Sequence, residues 1–377
     1  MSFLRLILLL GFSLFLTGCS IDLKKHFSAT ESEMRQGWPD TDFSKRSITF
    51  DEILYQALPK DAIPAIDNPI FKPIAAIGWI GDNEPVIVLE QGNEAKAYPL
   101  QIMIHHEIVN DTINGQPVAV TFCPLCNASI AYLRTVDSTV LDFGVSGSLR
   151  KSDLVMYDRQ TQSWWQQFTG KGIVGDYTTI QLKTLPSKVI AYNDFVTAYP
   201  DGKVLSRDTG YSKQYGENPF RGYDDINESP FLYFDPLDSR LSPMTRVLAV
   251  TRNEKHRIYP LPLLKKLPII NDVFNDTPLV VFSKKGMFSA VDEQWIDDSR
   301  RIPAAVAYDR RYKNKILKFK LVQGKIIDEQ TKTEWNILGH AIAGPLKGVK
   351  LQSVDRGVHF SFAWLAFQAQ SEIYTNK

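Results

Sequence analysis

Apolar residues along this chain come mostly in short, turn-bounded bursts, the signature of a β-rich fold. Val86–Leu89 and Val118–Phe122 are unbroken runs rich in β-branched side chains, as expected of strands buried on both faces. Ile130–Val136, Val140–Val145 and Leu154–Tyr157 also read as strands. The stretch Leu100–Val109 opens after Pro99 and closes at Asn110-Asp111, which predicts a helix there, with Asn110-Asp111 supplying its termination. A shorter helix is expected at Phe50–Leu58, ahead of the proline-rich loop Asp61–Asp67. Residues 20–45 are polar and aperiodic and read as a tether. The class expected is mainly β (α+β), with short helices packed on sheets or partial barrels.

The pattern also repeats itself. VIVLEQGNEAKAYPLQIMIHHEIVND from Val86 returns at Val247 as VLAVTRNEKHRIYPLPLLKKLPIIND. At one offset, Tyr98-Pro99-Leu100 meets Tyr259-Pro260-Leu261, and Asn110-Asp111 meets Asn271-Asp272. Tyr157-Asp158-Arg159 reads as the partner of Tyr308-Asp309-Arg310, while Gly170, Gly175 and Leu182 answer Gly339, Gly344 and Leu351. Such self-similarity predicts two tandem homologous domains from an internal duplication. The boundaries expected are 46–205 for the first domain, 206–229 for a Gly-, Asp- and Tyr-rich linker able to act as a flap, and 230–377 for the second. Trp164 and Trp165, against the single Trp335, read as core or pocket wall.

Residues present in only one copy carry the chemistry. His105, His106, Glu107, Cys123 and Cys126 of the first copy face Lys266, Leu267, Pro268, Lys284 and Met287 of the second. Cys123-Pro124-Leu125-Cys126 can hold one soft metal ion, exchange with a disulfide, or pin a turn as a disulfide. A following strand, rather than a helix, weakens a thioredoxin-like reading. Adjacent helical residues diverge by about 100°, so one histidine is expected to face the cysteines, His106 in preference to His105. Glu107 would then orient a ligand imidazole, serve as a base, or simply act as a cap. The glycine- and base-containing loop from Gly144 to Asp153, longer in the first copy, offers Ser146, Arg150, Lys151 and Ser152 as an anion-binding loop.

The start of the chain points to export. Arg5, the apolar run Leu6–Leu16 and Leu16-Thr17-Gly18-Cys19 form a signal sequence similar to the bacterial lipoprotein box, implying lipid on Cys19 and residues 1–19 as its signal peptide. Ser20 after the cysteine favours the periplasmic side of the outer membrane in a Gram-negative cell. A net charge of +1 gives no electrostatic footprint for nucleic acid. Of the 3 cysteines, only Cys123 and Cys126 remain for chemistry once Cys19 carries lipid.

The phrases AYPLQIMIHHEIVND, VAVTFCPLCNASIAY, FGVSGSLRKSDLVMYDRQTQSWW and RDTGYSKQYGENPFRGY resemble the bacterial domain-of-unknown-function family 3179 from about Asp61 onward. That resemblance implies an envelope-associated protein and no particular activity. The function expected is a lipid-anchored protein binding copper or zinc, copper before zinc, through Cys123, Cys126 and a nearby histidine. An envelope thiol-disulfide oxidoreductase is the second reading, and a non-catalytic binding or scaffold protein with a structural disulfide the third. The membrane is the expected partner through Cys19; the sequence names no protein or small-molecule partner.

Overall fold

A computed structural model describes residues 23–376, and the fold is mainly β with a few short helices. Cys19 and the expected signal sequence lie outside the described residues. Among those described, no helix is long and apolar enough to cross a membrane.

Val86–Leu89 forms the centre of strand Pro85–Gln91, which pairs with Glu94–Pro99 through a turn at Gly92, held at φ +58. Pro99 cannot donate a backbone hydrogen bond, so it ends the hairpin and opens the helix Leu100–His106. That helix stops short of the expected Val109. Glu107 takes the left-handed conformation (φ +59), which turns the chain straight into strand Ile108–Ile113. Asn110-Asp111 therefore lies within a strand and does not terminate a helix. Asn114 and Gly115, both at positive φ, make a two-residue turn of the Asn-Gly kind into Gln116–Cys123. The sheet then runs Ile108–Ile113, Gln116–Cys123, Ala128–Leu133, Thr184–Leu185. A second antiparallel hairpin, Phe143–Arg150 with Asp153–Asp158, packs nearby.

The same strand order recurs after residue 245. Arg246–Arg252 pairs with Lys255–Pro260, a helix spans Leu261–Leu264, and Ile269–Phe274, Thr277–Phe288, Arg301–Asp309 and Gln352–Ser353 form a sheet. Individual hydrogen bonds recur as well. Tyr98 donates to Asp111 at 2.7 Å, and Tyr259 to Asp272 at 2.6 Å. Asn110 exchanges hydrogen bonds with the backbone of Phe143, and Asn271 does so with Phe319. Trp165 donates to Asp158, and Trp335 to Asp328.

These contacts correct one expected pairing. Tyr308 donates to Ile337 O over Gly339, the task Tyr132 performs with Gln167 O over Gly170. The counterpart of Tyr308 is thus Tyr132; the Tyr-Asp-Arg triplet at 157–159 matches by letters alone. The halves also share their interior. One core cluster joins Phe122, Cys126 and Trp165 to Val247, Phe360 and Trp364, and another joins Val86 and Ile190 to Val280 and Tyr308.

The expected tether and linker are both packed structure. Glu31–Gly37 is a helix capped by Thr30, and Met34, Trp38 and Phe43 are fully buried against Tyr157 and Trp164. The helix expected at Phe50–Leu58 shrinks to a single 3₁₀ turn, Phe50–Glu52. There Ile53 and Leu54 pair instead with Arg150 and Leu149. Residues 206–245 carry no helix or strand, yet Asp224 is fully buried between Arg246 at 2.6 Å and Arg300 at 2.7 Å. Two guanidiniums on one carboxylate lock this segment onto the body.

Candidate metal centre

Cys123 is the last residue of its strand and pairs with Ala128, so Pro124-Leu125-Cys126-Asn127 must reverse the chain within one tight loop. Asn127 (φ +49) closes that loop, its N–H donating to Pro124 O at 3.2 Å. The reversal brings both sulfurs to one side. Both cysteines are free thiols, and their exposures of 1% and 0% leave no path for a large reactant.

Asp153 comes to them from the neighbouring hairpin. Lys151 and Ser152, both at positive φ, form its two-residue turn and place Asp153 at the head of the returning strand. Its Oδ2 accepts from Gln166 Nε2 and, at 2.9 Å, from Phe168 N, which fixes the carboxylate. Oδ1 is buried with no nitrogen or hydroxyl donor, and the two thiols are the donors that act on this carboxylate. The two sulfurs and a carboxylate oxygen of Asp153 lie within 4.8 Å of one another. Among the described residues, no other group of three or more His, Cys, Asp or Glu donors is so compact.

Glu107 borders this cluster. Its backbone carbonyl accepts from Phe122 N at 2.8 Å, next to Cys123, and among the described residues nothing hydrogen-bonds its carboxylate. Burial, then the charge of Asp153, pushes the Glu107 carboxyl up to about 8. Burial also pushes Asp153 up to about 6 and raises both thiols, Cys126 well above the usual range. The common cause is desolvation of acids that all become anions in one place. A divalent cation would reverse this by rewarding every deprotonated form.

The expected histidine ligands are elsewhere. His105 Nε2 meets Glu217 O at 3.0 Å. His106 Nδ1 donates to Pro64 O at 2.7 Å, so its Nε2 accepts from the Tyr215 hydroxyl at 2.6 Å. Burial lowers His106 to about 4, so the ring stays neutral with both nitrogens engaged. Asp153 stands where the histidine was expected, and Glu107 has no ligand imidazole to orient. The side chains of the expected anion loop have partners within the protein. Ser146 donates to Val155 O and Ser152 to Phe231 O, while Arg150 pairs with Glu52 and Lys151 reaches Ala366 O and Asp235. Each of these donors is spent within the protein.

Sequence reasoning missed Asp153, although a signal was present. The first hairpin runs from Phe143 to Asp158, with a shift of register between Val145 and Leu149, and its counterpart only from Phe319 to Asp328, so Asp153 sits in a stretch the second half has lost. The segment after residue 205 roofs the site: Tyr223 donates to Leu125 O at 3.1 Å and accepts from Phe231 N at 3.2 Å.

The family model described as Protein of unknown function (DUF3179) matches residues 60–371. The chain belongs to this family. Membership brings the CPLC loop, the Asp153 hairpin and the roofing segment into one family unit, and carries no activity with it. No curated protein and no solved structure matches the chain.

Proposed function

We propose that this DUF3179 protein binds a transition metal ion through Cys123, Cys126 and Asp153, and that it does so in the bacterial envelope, tethered by lipid on Cys19. One observation carries the metal reading: a buried carboxylate oxygen of Asp153, whose Oδ1 meets no nitrogen or hydroxyl donor, shares a 4.8 Å cluster with two free thiol sulfurs. An orphaned buried carboxylate oxygen costs stability unless something positive meets it. The donor set reverses the order expected from the cysteines alone. A carboxylate oxygen is hard, so two thiolates with one carboxylate suit Zn(II) better than Cu(I).

The tethering reading rests on Leu16-Thr17-Gly18-Cys19. Tandem duplication is supported by the paired Tyr–Asp, Asn–backbone and Trp–Asp hydrogen bonds of the two halves. A second reading, dithiol exchange, draws on Asp153, whose raised pKa suits it to take a thiol proton. Burial of both sulfurs under Tyr223 and Phe231 weighs against it, because a partner disulfide must reach one of them.

The test is metal analysis of the full chain purified in reductant without chelator. About one zinc per chain is expected, with the metal lost from Cys126→Ser and Asp153→Asn. Metal-free wild-type protein that cycles between dithiol and disulfide would instead establish the exchange reading.

A further inference from the structure

We infer that Glu107 is the fourth donor of this site and closes its shell, making it a site that holds an ion rather than one that activates water. The inference rests on the metal reading above. Zinc sites that only hold the ion have four protein ligands, whereas catalytic ones keep a position open. Which kind this is depends on what lies beside the three clustered donors.

Three observations point to Glu107. First, its backbone is fixed to the cysteine strand: Phe122 N donates to Glu107 O at 2.8 Å, and Ile108 pairs with Thr121. Its backbone thus lies one residue from Cys123 along the paired strand, where Glu107, at φ +59, caps the helix Leu100–His106.

Second, Glu107 is a buried residue, 7% exposed, and no donor among the described residues hydrogen-bonds its carboxylate. Its charge acts on Cys123, and that of Asp153 acts on it. Its oxygens lie outside the 4.8 Å group, so the assignment requires the side chain, which no hydrogen bond holds, to turn toward the ion on binding.

Third, the second half keeps the backbone bond at the position of Glu107 but lacks the donors and the CPLC turn, its strand running on to Phe288. Ser283 N donates to Pro268 O at 2.8 Å, the counterpart of the Phe122–Glu107 bond. Yet proline replaces Glu107, lysine replaces Cys123, a continuing strand replaces the turn that carries Cys126, and the hairpin bearing Asp153 is shortened. Lys284, in place of Cys123, makes an ion pair with Asp194. A purely structural Glu107 gives no reason for its loss together with the metal-type residues. Two thiolates and two carboxylates carry the same formal charge as the familiar four-cysteine zinc shell, so the closed set is electrostatically ordinary.

Co(II) and Zn(II) titration of the full chain tests this. Wild type should give sulfur-to-cobalt charge transfer and the intense visible bands of four-coordinate Co(II). Glu107→Gln should keep the charge transfer, bind zinc more weakly by more than the about 10- to 100-fold typical of an outer-shell partner, and shift its visible bands, which weaken if waters raise the coordination number above four. Glu107→Asp, charged but shorter, should fall between them, and thermal unfolding checks that each variant is folded. Unchanged affinity and visible spectrum in Glu107→Gln overturns the fourth-donor assignment while leaving the three-donor site standing. Wild type that takes up neither metal overturns the metal reading itself, and the assignment with it.

Discussion

Replacing Glu107 by glutamine should stabilise the metal-free protein, and by more as the pH rises. The Glu107 carboxyl moves from 4.5 in the unfolded chain to about 8 in the folded one, through burial first and the Asp153 charge second. Between those limits the folded state keeps a proton that the unfolded chain has released. Stability is therefore fully present below about pH 4.5 and falls as pH rises toward about 8. A shift of that size corresponds to about 5 kcal/mol, and relaxation of a real protein interior reduces the expected measurable part to roughly 2–4 kcal/mol. Glutamine does not titrate, so the variant escapes the loss. Urea unfolding of chelated, reduced protein should find Glu107→Gln more stable than wild type by roughly 2–4 kcal/mol near pH 8.5, and by less than about 1 kcal/mol near pH 5. Adding zinc should invert the order, since the metal rewards the ionised carboxylate. A variant that is less stable at the higher pH, or a difference independent of pH, would refute the view of Glu107 as a desolvated, unpartnered acid.

Other consequences are separable from the metal. Trp38→Ala removes a fully buried ring packed edge-on against Trp164 and Tyr157, and should cost about 3–5 kcal/mol by chemical denaturation. A tether would lose almost nothing. Asp224→Ala leaves Arg246 buried without its partner and should cost about 3–5 kcal/mol, with new protease cleavage between residues 206 and 245. Cys19→Ser should move the protein from the membrane to the soluble fraction on cell fractionation, and a variant that still sediments with membranes would count against lipidation.

The strands of the first half were legible because unbroken runs such as Val118–Phe122 have few alternatives to burial in a sheet. The CPLC loop was legible for the same reason: it ends such a run and has no counterpart in the second half. Asp153 was not, because nothing local marks an aspartate after a Lys-Ser turn, and its partners arrive through sheet packing from about 30 residues away. The histidines misled through helix geometry. Once Glu107 ended the helix early, His106 was free to bridge Pro64 and Tyr215. Met34, Trp38 and Phe43 are too irregularly spaced to show a period, so their burial against another element could not be read from residues 20–45.

X-ray absorption at the zinc edge of the purified full chain tests the central claim most directly, because it counts the atoms bound to the ion. The expected shell has two sulfurs at about 2.3 Å and oxygens at about 2.0–2.2 Å, with the sulfur contribution abolished in Cys123→Ser/Cys126→Ser. A shell of nitrogen and oxygen alone, unchanged in that double variant, would show that the bound ion does not sit at Cys123, Cys126 and Asp153.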